Sequence, residues 1–159
     1  MSDLTRIKEE IQAKLAGDNT ANALNFVDFL TSIGMTASYE GHPTFHYMDK
    51  WACLIVLAPK NDSSPNGMWF PCCYPNINIV ESANFPVDDS LKEYARQNAK
   101  KCFECGGCET PKNRKSIFGT EMDGLCCNAF HFNNPAGNDL ENAKKLMELL
   151  ANLIKDGNA

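Results

Sequence analysis

The stretch MTASYEGHPTFHYMDKWACLIVLA, residues Met35–Ala58, decides the predicted fold. In it the hydrophobic pattern changes from helical spacing to short apolar and aromatic runs, which turn-forming Gly, Pro and Asp residues interrupt. Three strands are predicted here, at Thr36–Glu40, Thr44–Met48 and Trp51–Ala58. Because the connections between them are short, neighbouring strands are expected to be antiparallel.

Further strands and helices are predicted on both sides of this stretch. The other strands are Met68–Cys73, Ile77–Val80 and a late hairpin, Ser116–Gly119 with Leu125–Phe132, around a turn at Glu121–Gly124. The first helix is predicted at Asp3–Ala16, and the second runs from a cap at Asp18, Asn19 or Thr20 to Gly34. The third begins with a capping box at Ser90 and Glu93 and runs towards Lys101. The fourth is Asp139–Lys155, with a cap at Asn138. Apolar residues at helical spacing and capping residues support these assignments. The predicted fold class is α+β, a mainly antiparallel sheet flanked by about four helices, in a single domain over residues 1–159.

Five cysteines follow the third helix. Cys102, Cys105 and Cys108 recur every three residues around two glycines, and Cys126 and Cys127 lie in the late hairpin. A glycine-rich turn lets closely spaced thiolates face one ion, and a later segment can complete the site. Four thiolates satisfy the tetrahedral preference of zinc and leave no position for a substrate. The sequence therefore predicts a Cys-rich loop that holds a structural zinc ion.

The fourth ligand is predicted to come from the late hairpin. Strict alternation along that strand places Cys126 on the face of Phe130 and Phe132, a sheltered side that favours Cys126 as the ligand. Cys127 is the alternative, and it shares its face with His131, whose imidazole could replace it.

An iron–sulfur cluster is the alternative occupant. Three cysteines separated by two residues, with a remote fourth, are also typical of ferredoxin-type ligand sets. The Cys-Pro pair usual in those sets is absent, because Glu109 follows Cys108. Zinc is therefore the expected cofactor, and a thiol or iron–sulfur redox protein is the alternative function.

Three other cysteines are expected to have packing roles. Cys53 lies within an apolar strand, where a free cysteine behaves as a small hydrophobe. Cys72 and Cys73 are adjacent, so their side chains should point to opposite faces of a strand and not to one ion. No neighbouring cation in the sequence would activate either thiol as a nucleophile.

Two histidines and two tryptophans are the candidates for lining a ligand pocket. His42 and His46 fall on one face of a predicted strand. Trp51 and Trp69 could line a cleft between the sheet and the helices, although aromatic residues more commonly fill a core. A small-molecule ligand is the partner that these residues imply.

Charge and hydropathy disfavour other partners. The net charge of −5 argues against general binding to nucleic acid or anionic membranes, and the basic run at residues 112–115 is the one feature in favour of a nucleic-acid site. The chain has no apolar run of about 20 residues and no signal-like amino terminus, so a cytoplasmic protein is expected. No catalytic motif stands out, which favours a non-enzymatic role.

Residues 41–58 resemble the sheet-entry hairpin of the YdhG-like small α+β domains. In both, a turn, an aromatic strand and a short polar turn precede an apolar strand, which in this chain includes Trp51 and Ala52. The resemblance implies an α+β fold and nothing about the cysteine loop. From the cysteine loop and the pocket candidates, the expected function is that of a small globular domain. Structural zinc stabilises this domain, and the domain binds a small ligand.

Overall fold

The computed structural model describes residues 2–73, 87–101 and 113–156, and within them it contains four α-helices and seven β-strands. In chain order these are α1 Asp3–Lys14, α2 Gly17–Ser32, β1 Thr36–Tyr39, β2 Pro43–Tyr47, β3 Lys50–Ala58, β4 Met68–Cys73, α3 Asp89–Gln97, β5 Ala99–Lys101, β6 Asn113–Ile117, β7 Thr120–His131 and α4 Asn138–Lys155. The strand predicted at residues 77–80 lies outside the described residues.

The seven strands form one sheet, and every pair in it is antiparallel. The strand order is β1-β2-β3-β4-β7-β5, and β6 pairs with β7 beside this path. The α+β class and the antiparallel sheet flanked by four helices are thus confirmed. The three strands of Met35–Ala58 are confirmed within one residue at each end.

The helices pack on the sheet face to which Tyr39, Trp69 and Cys73 point. The Arg6 guanidinium of α1 lies over the Tyr39 ring, 3.7 Å from its centroid. The ring of Phe26, from α2, lies 5.8 Å from that of Trp69. The Cys73 Sγ lies 2.9 Å from the sulfur of Met147 in α4. The core therefore fills the space between this face and the helices.

The apolar stripes predicted for the helices are the residues that become buried. In α1, Ile7 and Ile11 are fully buried, and in α3 Leu91 and Ala95 face the core. In α4 the buried stripe contains Leu140, Ala143, Leu146, Met147, Leu150, Leu153 and Ile154. Apolar residues at helical spacing become buried because only one face of each helix meets the sheet or another helix.

The predicted helix caps were wrong at three positions. Helix α2 begins at Gly17 with Ala16 as its N-cap, and Asn19 lies in its first turn, where the side-chain amide donates to the Gly67 carbonyl, 2.8 Å away. In α3 the N-cap is Asp88, whose carboxylate accepts from the Leu91 backbone N–H at 2.8 Å. In α4 it is Gly137. Helices α2 and α4 thus begin without a side-chain cap, and the N-cap of each of the three helices lies before the residue predicted to cap it.

The late hairpin turns earlier than predicted. Ile117 pairs with Thr120, so the connection consists of Phe118 and Gly119, with φ of 49° and 76°. Two successive positive φ angles are typical of the type I′ turn that joins two-residue hairpins. The predicted turn at 121–124 was wrong because those residues belong to β7, where Gly124, with a φ of 72°, lies beside a shift in register. Phenylalanine rarely adopts a positive φ, so residue 118 was not expected in a turn.

No helix among the described residues is long and apolar enough to cross a membrane.

Candidate functional site

The predicted metal ligands lie beyond what the structure describes. Cys102, Cys105 and Cys108 fall between residues 101 and 113, outside the described residues. Cys126 and Cys127 belong to β7, but their side chains are also outside the description. Among the residues that are described, no group of three or more His, Cys, Asp or Glu side chains could hold a metal ion. The zinc site therefore stays a prediction.

The backbone on either side of the cysteine loop is described, and both ends meet β7 at one residue. Lys101, the last residue of β5, pairs with Leu125. Asn113, the first residue of β6, also pairs with Leu125. A strand residue has one partner on each edge, so β5 and β6 lie on opposite sides of β7 at this point. The segment 102–112 therefore leaves and rejoins the sheet beside the residue that precedes Cys126.

The pairing of β5 with β7 contains a large shift in register. Ala99 pairs with Phe130 and Lys101 with Leu125, so two steps along β5 correspond to five steps along β7. Leu125 and Phe130 are both buried, although they are five positions apart and strict alternation would place them on opposite faces. Strict alternation between Leu125 and Phe130 is thus broken. The preference for Cys126 over Cys127 depended on that alternation, and both cysteines are equal candidates without it.

The four residues predicted to line a pocket do not come together. His46 in β2 pairs with Trp51 in β3, and Trp51 is 44% exposed. The His46 Nδ1 lies 3.4 Å from the Ser38 hydroxyl. His42 is exposed in the turn before β2. Trp69 is fully buried between the sheet and α2, so its indole occupies the space that a ligand between sheet and helices would need.

Two of the other cysteines form a buried pair. Cys53 and Cys73 are cross-strand partners in β3 and β4, and both are fully buried. Burial and a hydrogen bond with Cys53 raise the pKa of the Cys73 thiol well above its ordinary value. A protonated thiol is a poor nucleophile and a poor metal ligand. The expected packing role of Cys53 and Cys73 is consistent with these surroundings.

A cavity that the sequence did not indicate lies beside β5. It has a volume of about 480 Å³, and it is lined by Gln97, Asn98, Ala99, Lys100, Lys101 and His131. The His131 ring stacks on Phe70, with centroids 5.2 Å apart and planes inclined by 16°. Burial and the charge of Lys100 lower the pKa of His131. The adjacent lysines were a signal in the sequence, but His131 joins them only through the pairing of β5 with β7.

A second cavity of about 480 Å³ lies between α3 and α4. Its lining is mixed: Leu91 and Leu149 supply apolar surface, while Asp88, Lys145 and Glu148 carry charges of both signs. Asp88 is already engaged as the N-cap of α3. The β5 cavity is more distinctive chemically, because the charged side chains that described residues contribute to it are both basic.

Comparison of the chain with protein-family models, with curated proteins and with solved structures found no match.

Proposed function

We propose that the chain is a metal-stabilised domain in which Cys102, Cys105, Cys108 and either Cys126 or Cys127 hold one structural zinc ion. The observation that carries the proposal is the double pairing of Leu125 with Lys101 and Asn113. Lys101, which precedes Cys102, is therefore the cross-strand partner of Leu125, which precedes Cys126. Antiparallel partners have Cα atoms about 5 Å apart, so cysteines that follow the two partners are close enough to ligate one ion, each through a zinc–sulfur bond of about 2.3 Å.

A metal at this point would offset a structural cost. Strand β5, which directly precedes the cysteine loop, contributes three residues to the sheet. Short edge strands give few backbone hydrogen bonds with which to offset the conformational entropy of an ordered loop. Metal coordination supplies free energy that belongs directly to folding, because the ligands converge only in the folded state.

The charges around the loop are also compatible with thiolate ligands. A zinc ion bound by four thiolates carries a net charge of about −2. Lys100 and Lys101 precede the first loop cysteine, and Arg114 and Lys115 lie in β6 after the loop. Basic residues at both ends of the loop would stabilise an anionic metal centre.

The proposal is tested by replacing cysteines one at a time and measuring bound zinc and thermal stability. Cys102→Ser, Cys105→Ser and Cys108→Ser should each lower zinc content and the melting temperature together. Cys53→Ala is the matched control, because it removes a thiol from the core and should leave zinc content unchanged. If the three loop variants retain full zinc, the ligand set is wrong.

The same experiment identifies the fourth ligand. Cys126→Ser and Cys127→Ser are compared, and the variant that loses zinc marks the ligand. If both variants keep the wild-type zinc content, the late strand does not complete the site. Iron with visible absorbance in the purified protein would instead support the iron–sulfur alternative with the same cysteines.

A further inference from the structure

The cavity beside β5 lies where α3 ends and the sheet reaches its edge. Helix α3 ends at Gln97, and β5 follows at Ala99. The opposite wall is His131, at the end of β7, and its backbone N–H donates to the Asn98 carbonyl at 3.0 Å. A regular helix end and a paired strand therefore position both walls. The volume of about 480 Å³ is within the usual range for sites that bind small molecules.

The charge that the described residues give the cavity wall is basic. Lys100 and Lys101 line it, and no carboxylate of a described residue does. The nearest acidic residue of α3 toward this end, Glu93, accepts from Arg96 at 3.5 Å and from Gln97 at 3.1 Å. Its charge is thus directed to partners on its own helix. A concave surface lined by cations alone attracts anions.

The polar groups that remain for a ligand can be identified by elimination. The Asn98 side-chain amide donates to the Tyr94 carbonyl at 2.9 Å. The Gln97 side-chain amide donates to the Glu93 carboxylate at 3.1 Å. One N–H of each amide is thus engaged, while the ammonium groups of Lys100 and Lys101 and one N–H of the neutral His131 ring are donors that line the cavity. Stacking on Phe70 holds the imidazole in place, so that its orientation is fixed before a ligand arrives.

We propose that this cavity binds the carboxylate or phosphate group of a small organic anion. Lys100 and Lys101 supply the attractive charge, and His131 supplies a directed hydrogen bond. An ammonium group binds either kind of oxyanion through charge-assisted hydrogen bonds. None of the described residues that line the site is a proposed zinc ligand, and zinc content is measured beside anion binding so that the two proposals are tested separately.

The test uses the full chain and three salts. Sodium phosphate and sodium acetate are titrated into ¹⁵N-labelled protein, with sodium chloride at matched ionic strength as the reference. We expect saturable shifts of the Gln97–Lys101 backbone amides and of the His131 ring with phosphate, acetate or both. Saturation with phosphate alone identifies a phosphate site, and saturation with acetate alone a carboxylate site. Shifts no larger than those with chloride would overturn the proposal.

Two variants link binding to the named groups. Lys100→Gln should weaken binding by up to about fivefold, the effect of losing one favourable exposed ion pair. Lys92→Gln is the control, because Lys92 lies on α3, pairs with Asp89 and does not line the cavity. Equal affinities in these two variants would overturn the proposal.

His131→Phe provides a second, independent variant. It keeps an aromatic ring on Phe70 but removes both ring nitrogens, so we expect weaker binding with an unchanged melting profile. Zinc content is measured on every sample. Loss of anion binding at constant zinc separates this site from the metal proposal, and a His131→Phe affinity equal to wild type contradicts the role given to the imidazole.

Discussion

Cys53 and Cys73 lie directly opposite each other on β3 and β4, and both side chains are fully buried. The Cys73 sulfur also lies 2.9 Å from that of Met147. This sulfur-rich region belongs to the core, and neither Cys53 nor Cys73 is among the proposed metal ligands.

The buried thiols should be unreactive in the folded protein. Burial raises the pKa of Cys73, and thiolate is the reactive form, so both low access and low ionisation protect it. Labelling with a thiol reagent at neutral pH, followed by peptide mass spectrometry, should modify Cys53 and Cys73 only when the protein is unfolded. Rapid labelling of either residue under native conditions would contradict the packing described.

Stability should fall in alkaline solution because of Cys73 and Tyr94. The pKa of Cys73 is raised above 9.0 and that of Tyr94 above 10.0, the latter by burial and by the charge of Asp139. The unfolded state therefore loses these protons first. The free energy of unfolding should decrease above about pH 9, with a slope of up to about 1.4 kcal/mol per pH unit for each group.

Tyr94→Phe isolates the second contribution. The variant loses the hydrogen bond from the Tyr94 hydroxyl to the Asp139 carbonyl, which is 2.9 Å long, but keeps a ring beside Phe132. Urea unfolding between pH 8 and pH 11 should show a shallower decline above about pH 10 than in the wild type. Identical slopes in the two proteins would show that Tyr94 ionises equally in both states.

His131 should titrate below 6.5 in the folded protein. Burial is the main cause of its lowered pKa, and the charge of Lys100 adds to it. The unfolded state therefore takes up the proton first, and this residue makes stability fall as the pH drops through 6.5. NMR titration should show a higher pKa in Lys100→Gln than in the wild type, and no change in Lys92→Gln. A wild-type midpoint at or above 6.5 would contradict the position given to Lys100.

The volume of Trp69 should matter more than its polar group. Its buried indole N–H has no hydrogen-bond partner among the described residues. Trp69→Phe therefore removes no hydrogen bond to them. Urea unfolding should show a loss of less than about 1.5 kcal/mol for Trp69→Phe and about 3–5 kcal/mol for Trp69→Ala. Equal losses would indicate that the indole nitrogen, and not the ring volume, stabilises the core.

Much of the fold was predictable because it depends on local patterns. The spacing of apolar residues in Met35–Ala58 and along α4 indicates one buried face in each element. The elements could therefore be assigned from this spacing alone. The caps and the turn at Phe118-Gly119 were not predictable, since α2 and α4 begin without a capping side chain and the turn places a phenylalanine at a positive φ. The hairpin in particular has a buried phenylalanine at a position where sequence rules expect Asn or Asp.

The candidate sites were less predictable than the fold. The sequence locates the cysteines, but the convergence of Lys101 and Asn113 on Leu125 appears only in the strand pairing. The irregular register of β7 also removes the alternation on which the choice of Cys126 depended. The β5 cavity joins Lys100 to His131 across 31 positions of the chain, a relationship that no local pattern contains.

The central claim is that one ion joins the cysteine loop to β7. Elemental analysis by mass spectrometry, on protein purified without added metal, tests it most directly. The account predicts one zinc ion per chain, together with a melting temperature that falls when a strong chelator removes the zinc. Protein that is folded and free of metal, with a melting temperature indifferent to chelator, would contradict it.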